Sequence, residues 1–288
     1  MILVTGSTGT VGRELVRRLP DGIPVRLMTR SPERVTTMTP AAETVGADFT
    51  DDGSLARALQ GVRKVFLVTA RVGADDDARF LRLAREAGVR HVVKLSAAAV
   101  ADGAADDLIT RWQRDNEELL RRSGMEWTML RPRAFTSNSL SWAASVRSEG
   151  VVRALYGSSL NACVDPRDIA AVAVSALTGD GHEGRVHTLT GPEAISAVQQ
   201  TAQLAAVLGQ PLRFEELGPQ EAEAALRRRW PAEIAEALMS SARRQRDGAK
   251  AAVADTVRAV TGRPARSFRT WAADHAAAFA PPAKAAEG

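Results

Sequence analysis

A single cysteine, Cys163, in a chain of 288 residues excludes an intramolecular disulfide and any metal site built on cysteines. The histidines at 91, 182, 187 and 275 include no pair at metal-ligand spacing, so no metal is expected. Long apolar runs are missing as well: none approaches the ~20 residues that a bilayer span needs, and no membrane partner is expected. No basic-then-apolar leader precedes the first strand-like run, and the expected location is the cytoplasm. Neither sign of charge dominates. The net charge is +4 and the sequence pI about 9.8, but acids and bases are interspersed along most of the chain. The basic clusters "LRRRW" (226–230) and "ARRQR" (242–246) lie in helical sequence and read as solvated faces rather than a nucleic-acid surface. Tyrosine occurs once, at Tyr156, and lysine is scarce. No internal repeat is found, and only 281–288 has the composition of a flexible tail.

What is present is an alternation of strand and helix. Buried-strand runs lie at 2–5, 25–30, 64–69, 91–97 and 126–132, with a weaker one at 44–47. Between them, Val11, Leu15, Val16 and Leu19 share one helical face. Helices are expected at 54–59, capped by Asp51 or Asp52, at 77–88, capped by Asp75-Asp76-Asp77, and at 106–122. Such alternation demands right-handed crossovers and a doubly wound parallel sheet with helices on both faces. After Pro132 the pattern loosens. A short strand, a turn and a helix are read over 161–177, with Asp165 and Asp168 capping the helix near Ile169. A strand follows at 185–191, a helix at 194–209 and a strand at 212–217. The expected division is a dinucleotide-binding domain at 1–132 and a smaller substrate-binding portion at 133–280, interleaved with the core.

The first turn reads Thr5-Gly6-Ser7-Thr8-Gly9-Thr10-Val11-Gly12, straight after a strand and opening a helix. In that context Gly6 permits the tight turn and Gly9 lets backbone N–H groups approach a pyrophosphate. Gly12 lets the helix pack closely on the sheet. This is the Rossmann arrangement, and its ligand is a dinucleotide. The second strand ends Thr29-Arg30-Ser31, with Arg34 following and no acid at the tip. Arg30 can fork onto a ribose 2′-phosphate and Ser31 can add a hydroxyl, which favours NADPH while leaving NADH open. Asp48 and Phe49, after the third strand, would flank the adenine.

The segments "VTGSTGTVGRELVRRL", "VRLMTRSPER", "AREAGVRHVVKLSA", "SGMEWTMLRPRAFTSN", "CVDPRDIAAVAVSAL" and "VTGRPARSFRTWAADHAAAF" together resemble the NmrA-like group of atypical short-chain dehydrogenase/reductases. That group includes NADPH-dependent quinone reductases, isoflavone-reductase-like enzymes and redox-sensing regulators that bind cofactor without turnover. The resemblance implies the same Rossmann fold with a smaller C-terminal substrate-binding portion. It also implies that Gly6, Thr8, Gly9, Thr10, Val11, Arg30, Asp48, Thr69, Ala70 and Ser96 face the cofactor. Phe135 and Asn138 match the family's stretch after the sixth strand, and with Trp142 and Tyr156 they are the expected substrate-lining residues.

Typical short-chain dehydrogenases carry a tyrosine and a lysine four residues on, in the long helix after the fifth strand. Here that helix, "DDLITRWQRDNEELLRRSG", has neither. Hydride delivery to an isolated ketone makes a localised alkoxide that needs a proton donor. Delivery to a quinone or extended enone makes a delocalised anion that ordinary hydrogen-bond donors can stabilise. Ser96 and Gln113 are the expected catalytic residues, with Arg111 and Trp112 as weaker candidates. The expected function is an NADPH-dependent oxidoreductase acting on a small quinone-like or polycyclic enone, in aromatic secondary metabolism. A net oxygen-dependent hydroxylation, as by a monooxygenase, is a variant of it. The alternative is a dinucleotide sensor that acts through a protein partner. Oligomeric state is left open.

Overall fold

The computed structural model describes residues 1–32 and 42–280; Arg34 and the expected tail at 281–288 lie outside the described residues. The first part alternates β1 (Ile2–Val4), α1 (Thr10–Val16), β2 (Val25–Thr29), β3 (Glu43–Gly46), α2 (Asp52–Leu59), β4 (Lys64–Leu67), α3 (Asp76–Glu86), β5 (His91–Leu95), α4 (Leu108–Arg121) and β6 (Glu126–Pro132). Then come α5 (Ala143–Glu149), β7 (Val151–Ala154), α6 (Pro166–Thr178), β8 (Arg185–Leu189), α7 (Ala197–Leu208) and β9 (Arg213–Glu216). The chain continues through α8 (Pro219–Arg229), α9 (Ala232–Arg246), α10 (Thr256–Thr261), α11 (Phe268–Asp274) and α12 (Ala276–Phe279).

Seven strands form one sheet in the order β3-β2-β1-β4-β5-β6-β8, and every pairing is parallel. Parallel strands need crossover helices, and those helices bury both faces, so β1 is wholly apolar and β4 is apolar from Val65 to Leu67, while β5 buries His91 and Lys94 beside Val92 and Val93. Leu3, Val65, Leu67, Val92 and Met129 pack with Leu55, Leu59, Phe80, Leu81 and Leu120 of α2, α3 and α4 in one apolar cluster. β1 lies between β2 and β4, so the winding reverses there. The crevice at the carboxyl ends of β1 and β4 is where this architecture binds ligands.

The local signals at helix ends hold in part. Asp51, not Asp52, caps α2 by accepting from the Gly53 and Ser54 N–H groups. The aspartate triplet does not cap α3 through a side chain. Asp75 stands at the cap without such a bond, Asp76 pairs with Arg71, and Asp77 is buried. α6 begins at Pro166 rather than near Ile169, because proline has no N–H to lose in a first turn.

Two compact units result. The first holds 1–132, 166–189 and 255–264; the second holds 133–165, 190–254 and the chain from 265. Residues 166–189 belong with the sheet because β8 is its edge strand beside β6 and α6 packs on α1. In the second unit β7 and β9 pair in parallel. Its core is Val146, Val152, Ile195, Leu204, Phe268, Trp271 and Phe279.

Candidate functional site

The turn after β1 is built by backbone contact. Gly6 has φ +60°, a conformation that only glycine adopts without strain, and its carbonyl accepts the Gly9 N–H at 2.9 Å. A Cβ on Gly12 would stand 2.1 Å from the Gly6 oxygen. The close packing expected between α1 and the sheet is therefore between α1 and the turn itself. Two residues missed in the sequence fix this turn. The Thr5 hydroxyl accepts the Val68 N–H at 2.7 Å and has the Phe66 and Val68 carbonyls at 3.1 and 3.2 Å, tying β1 to the end of β4. The Ser7 hydroxyl donates to the Met28 carbonyl at 3.2 Å, tying the turn to β2. Thr8, Gly9 and Thr10 are exposed, and Gly9 brings no capping side chain to the first turn of α1. A cradle of bare N–H groups at the positive end of a helix fits a pyrophosphate.

The neighbouring strand ends supply the remaining candidates. Arg30 is exposed at the tip of β2, and Ser31 is half-buried with its N–H on the Thr29 hydroxyl at 3.2 Å. Asp48 is held below the usual carboxylate range by the Thr50 hydroxyl and N–H, with smaller contributions from the Arg30 and Arg71 charges. Arg30 and Asp48 thus share one electrostatic neighbourhood. Phe49 packs on Phe80 of α3, ring centroids 5.7 Å apart, so core packing occupies at least part of that ring. Ala70 is exposed at the end of β4. Thr69 is buried there, and its hydroxyl donates to Asp77 at 2.6 Å. Asp77 in turn pairs with Lys94, whose ammonium also reaches the Thr69 oxygen at 3.4 Å. Lys94 and Asp77 are fully buried. Lysine in mid-strand and an acid in a cap-like triplet give no local hint of one another.

Ser96 lies past β5, on the same face as Lys94, and it is not a free donor. Its hydroxyl donates to Glu117 of α4 at 2.6 Å. Glu117 also accepts from Arg131 Nε at 2.8 Å and from Arg121 at 2.7 Å. Burial alone would raise the Glu117 carboxyl, but the bonds from Arg131 and Ser96 outweigh it and hold the group below its ordinary range. Ser96 therefore gives its only proton to an anion and offers outward lone pairs alone. Gln113 stands one turn before Glu117. Its Oε1 is buried without a hydrogen-bond partner, as are Trp112 Nε1 and Asn116 Nδ2. Buried polar atoms are almost always paired, and these three open ones lie within five residues of α4. Arg111 is exposed and bonds Asp106 at the start of its own helix.

Of the expected substrate residues, all in the second unit, Phe135 is half-buried and its backbone pairs with Val164. Asn138 is exposed. Trp142 packs against the core of that unit. Tyr156 is half-buried beside Arg246, 5.2 Å from its ring centroid. Burial pushes the Cys163 thiol up to about 11, so it is no nucleophile. No group of three or more metal-ligating side chains occurs among the described residues, and none of the described helices is long and apolar enough to cross a membrane.

Comparison with known proteins sharpens this picture. The NAD(P)H-binding family model matches residues 6–180. The chain is 58% identical over 281 residues to a (4-alkanoyl-5-oxo-2,5-dihydrofuran-3-yl)methyl phosphate reductase of Streptomyces griseus, covering 98% of this chain and 100% of that protein. It is 37% identical to an NAD(P)H azoreductase of Xenophilus azovorans, covering 97% of this chain and 99% of that one. Among solved structures, an NADPH-dependent quinone oxidoreductase from Escherichia coli complexed with NADPH superposes with a TM-score of 0.84 at 26% identity. The match covers 95% of this chain and 99% of that one.

Proposed function

Because the chain belongs to the NAD(P)H-binding family, within its NmrA-like group, and is an NAD(P)H-dependent oxidoreductase, we propose that it reduces the conjugated C=C bond of an acylated dihydrofuranone carrying a phosphate ester. The carrying observation is the commitment of Ser96 to Glu117 in a site whose helix α4 has neither tyrosine nor lysine. A site so poor in acids suits an acceptor whose reduced form needs none. In the substrate named for the Streptomyces griseus relative, the ring double bond joins the carbon bearing the phosphate arm to a carbon flanked by the lactone and alkanoyl carbonyls. NADPH held at the glycine turn would supply a hydride, which the carbon that bears the arm would accept. The electron pair of the double bond then spreads over both carbonyls as a stabilised enolate, and water returns the proton to the flanked carbon. This substrate is a conjugated enone; a polycyclic or aromatic substrate has no observation in the structure behind it.

On this reading the glycine turn with Thr8, Thr10 and Val11 holds the pyrophosphate. Arg30 with Ser31 takes the ribose 2′-phosphate, and Asp48 and Ala70 border the cofactor. Thr69 is a buried post whose hydroxyl is fixed by Asp77. Gln113 offers an unpartnered amide oxygen to a hydrogen-bond donor of the ligand, and Ser96 ties the end of β5 to Glu117 of α4. A sensing role without turnover has no observation in its favour.

The test is NADPH oxidation by pure protein with the alkanoyl-dihydrofuranone methyl phosphate, in air and without oxygen. Oxygen-independent formation of the saturated lactone is the expected result. Product formed only in air would replace this reading with the hydroxylating variant, and absence of any turnover would overturn it. In the same assay Arg30→Glu should weaken NADPH about 10- to 100-fold more than NADH, the size of one lost charge-assisted phosphate contact. Equal losses would remove Arg30 from cofactor selection.

A further inference from the structure

The loop after β4 brings a second arginine to the carboxyl edge of the sheet. Arg71 follows the exposed Ala70 and opens a tight turn, its carbonyl accepting the Ala74 N–H at 3.1 Å. Its guanidinium is gripped along one side by Asp76, the first residue of α3. Nε donates to Oδ2 at 2.9 Å, and Nη2 donates to Oδ1. The two members of this pair differ in setting: the Asp76 carboxylate is buried, whereas the Arg71 side chain remains 51% exposed. A bidentate bond uses one edge of the guanidinium and fixes its plane, and it makes no use of the flat faces. Arg71 is thus a rigid cationic plate at the sheet edge rather than a mobile arm.

The loop after β3 is fastened beside it. Phe49 packs on Phe80 of α3, and Asp52 accepts from Arg79 and Arg82 of α3 at 2.8 and 2.6 Å. Residues 48–52 therefore lie along the helix that Asp76 opens. Asp48 Oδ1 accepts the Thr50 N–H and hydroxyl at 2.8 and 2.7 Å. Beside the larger effect of Thr50, the charges of both Arg30 and Arg71 act on the Asp48 carboxylate. Arg30 from the end of β2, Asp48 from the end of β3 and Arg71 from the end of β4 thus surround one space next to the glycine turn of β1. All of them belong to the first unit.

We propose that the Arg71 guanidinium, held flat by Asp76, stacks on the adenine of the cofactor. The proposal rests on the cofactor placement given above, with the pyrophosphate at the glycine turn and the ribose 2′-phosphate on Arg30. The adenine borne by that ribose then falls between Asp48 and Arg71. A purine offers a π face, and a guanidinium plane stacks on such a face without giving up its hydrogen bonds. The bonds to Asp76 are therefore no obstacle: they keep the plate in place. Two arginines divide the work. Arg30 meets the phosphate that distinguishes NADPH from NADH, and Arg71 meets the base that both carry.

The test is calorimetric binding of NADP+ and NAD+ to the full chain, with no substrate present. Arg71→Lys keeps the charge and a partner for Asp76 but removes the plane. It should weaken both cofactors together by about 10-fold, the size of one lost stacking contact on a base. The double variant Arg71→Tyr with Asp76→Asn carries a flat face, no charge and no unpaired carboxylate, and it should bind both cofactors more tightly than Arg71→Lys does. A loss confined to NADP+ would make Arg71 a phosphate contact and overturn the stacking. Unchanged affinity in Arg71→Lys, or a double variant no tighter than Arg71→Lys, would overturn it as well. A parent chain that binds neither cofactor would overturn the cofactor site itself, whereas tight binding in the parent with no effect at Arg71 would leave that site standing and sink the plate alone.

Discussion

The turn after β1 and the loop after β7 hold their backbones in the same left-handed conformation, Gly6 at φ +60° and Tyr156 at φ 56°. They reach it by opposite means. At Gly6 the residue itself is permissive, and Gly12 lets backbone touch backbone. At Tyr156 the residue resists, and five hydrogen bonds and a packed ring around it force the issue. One region relieves the backbone by removing the side chain; the other keeps the side chain and strains the backbone. The comparison teaches that a left-handed conformation announces itself in sequence only when the chain adapts to it, not when the fold imposes it.

Substitutions at the turn, at the buried ion pair and at the two left-handed residues test these differences. The largest effect is expected from Gly12→Val: the new side chain meets the Gly6 carbonyl, α1 must move, and NADPH binding should vanish in a fluorescence titration. Unchanged affinity would show that the turn is not the cofactor cradle. Next, Lys94→Met leaves Asp77 buried without its partner and should lower stability in urea unfolding by about 3–5 kcal/mol. The double variant Lys94→Met with Asp77→Leu should recover most of that loss, and failure to recover would mean that the pair does more than neutralise itself. The smallest and sharpest effect is reciprocal. Gly6→Ala should destabilise by about 1–2 kcal/mol, whereas Tyr156→Gly should stabilise by about 1 kcal/mol. If Tyr156→Gly destabilises, the loop is not strained and the contrast between the two regions collapses.

Much of the first unit was legible in the sequence. Strand and helix periods set β1, β4, β5, β6 and α4 within a few residues, and the glycine turn identified itself by following a strand and opening a helix. The site was legible in outline only. Ser96 was located at the right edge, but its proton is given to Glu117, which in sequence looks like an ordinary partner of Arg121 one helical turn away. Gln113 reads as an exposed helix residue, yet its oxygen is buried. Asp77 reads as a cap, yet it neutralises Lys94 seventeen residues on. In the second unit the short strand β7 and the left-handed Tyr156 left no trace, because neither has a period or a permissive residue to betray it.

The sequence by itself determined the order of strands and helices, the parallel sheet, the glycine turn after β1 and the missing acid pair. Each of these depends on residues within a turn or a strand of one another. Only the tertiary structure decided which polar groups are free. Ser96, Thr69 and Lys94 are committed, whereas Gln113, Trp112 and Asn116 keep open hydrogen-bonding atoms. The physical reason is that a hydrogen bond is settled by partners brought together across the sheet, and sequence spacing carries no record of that approach.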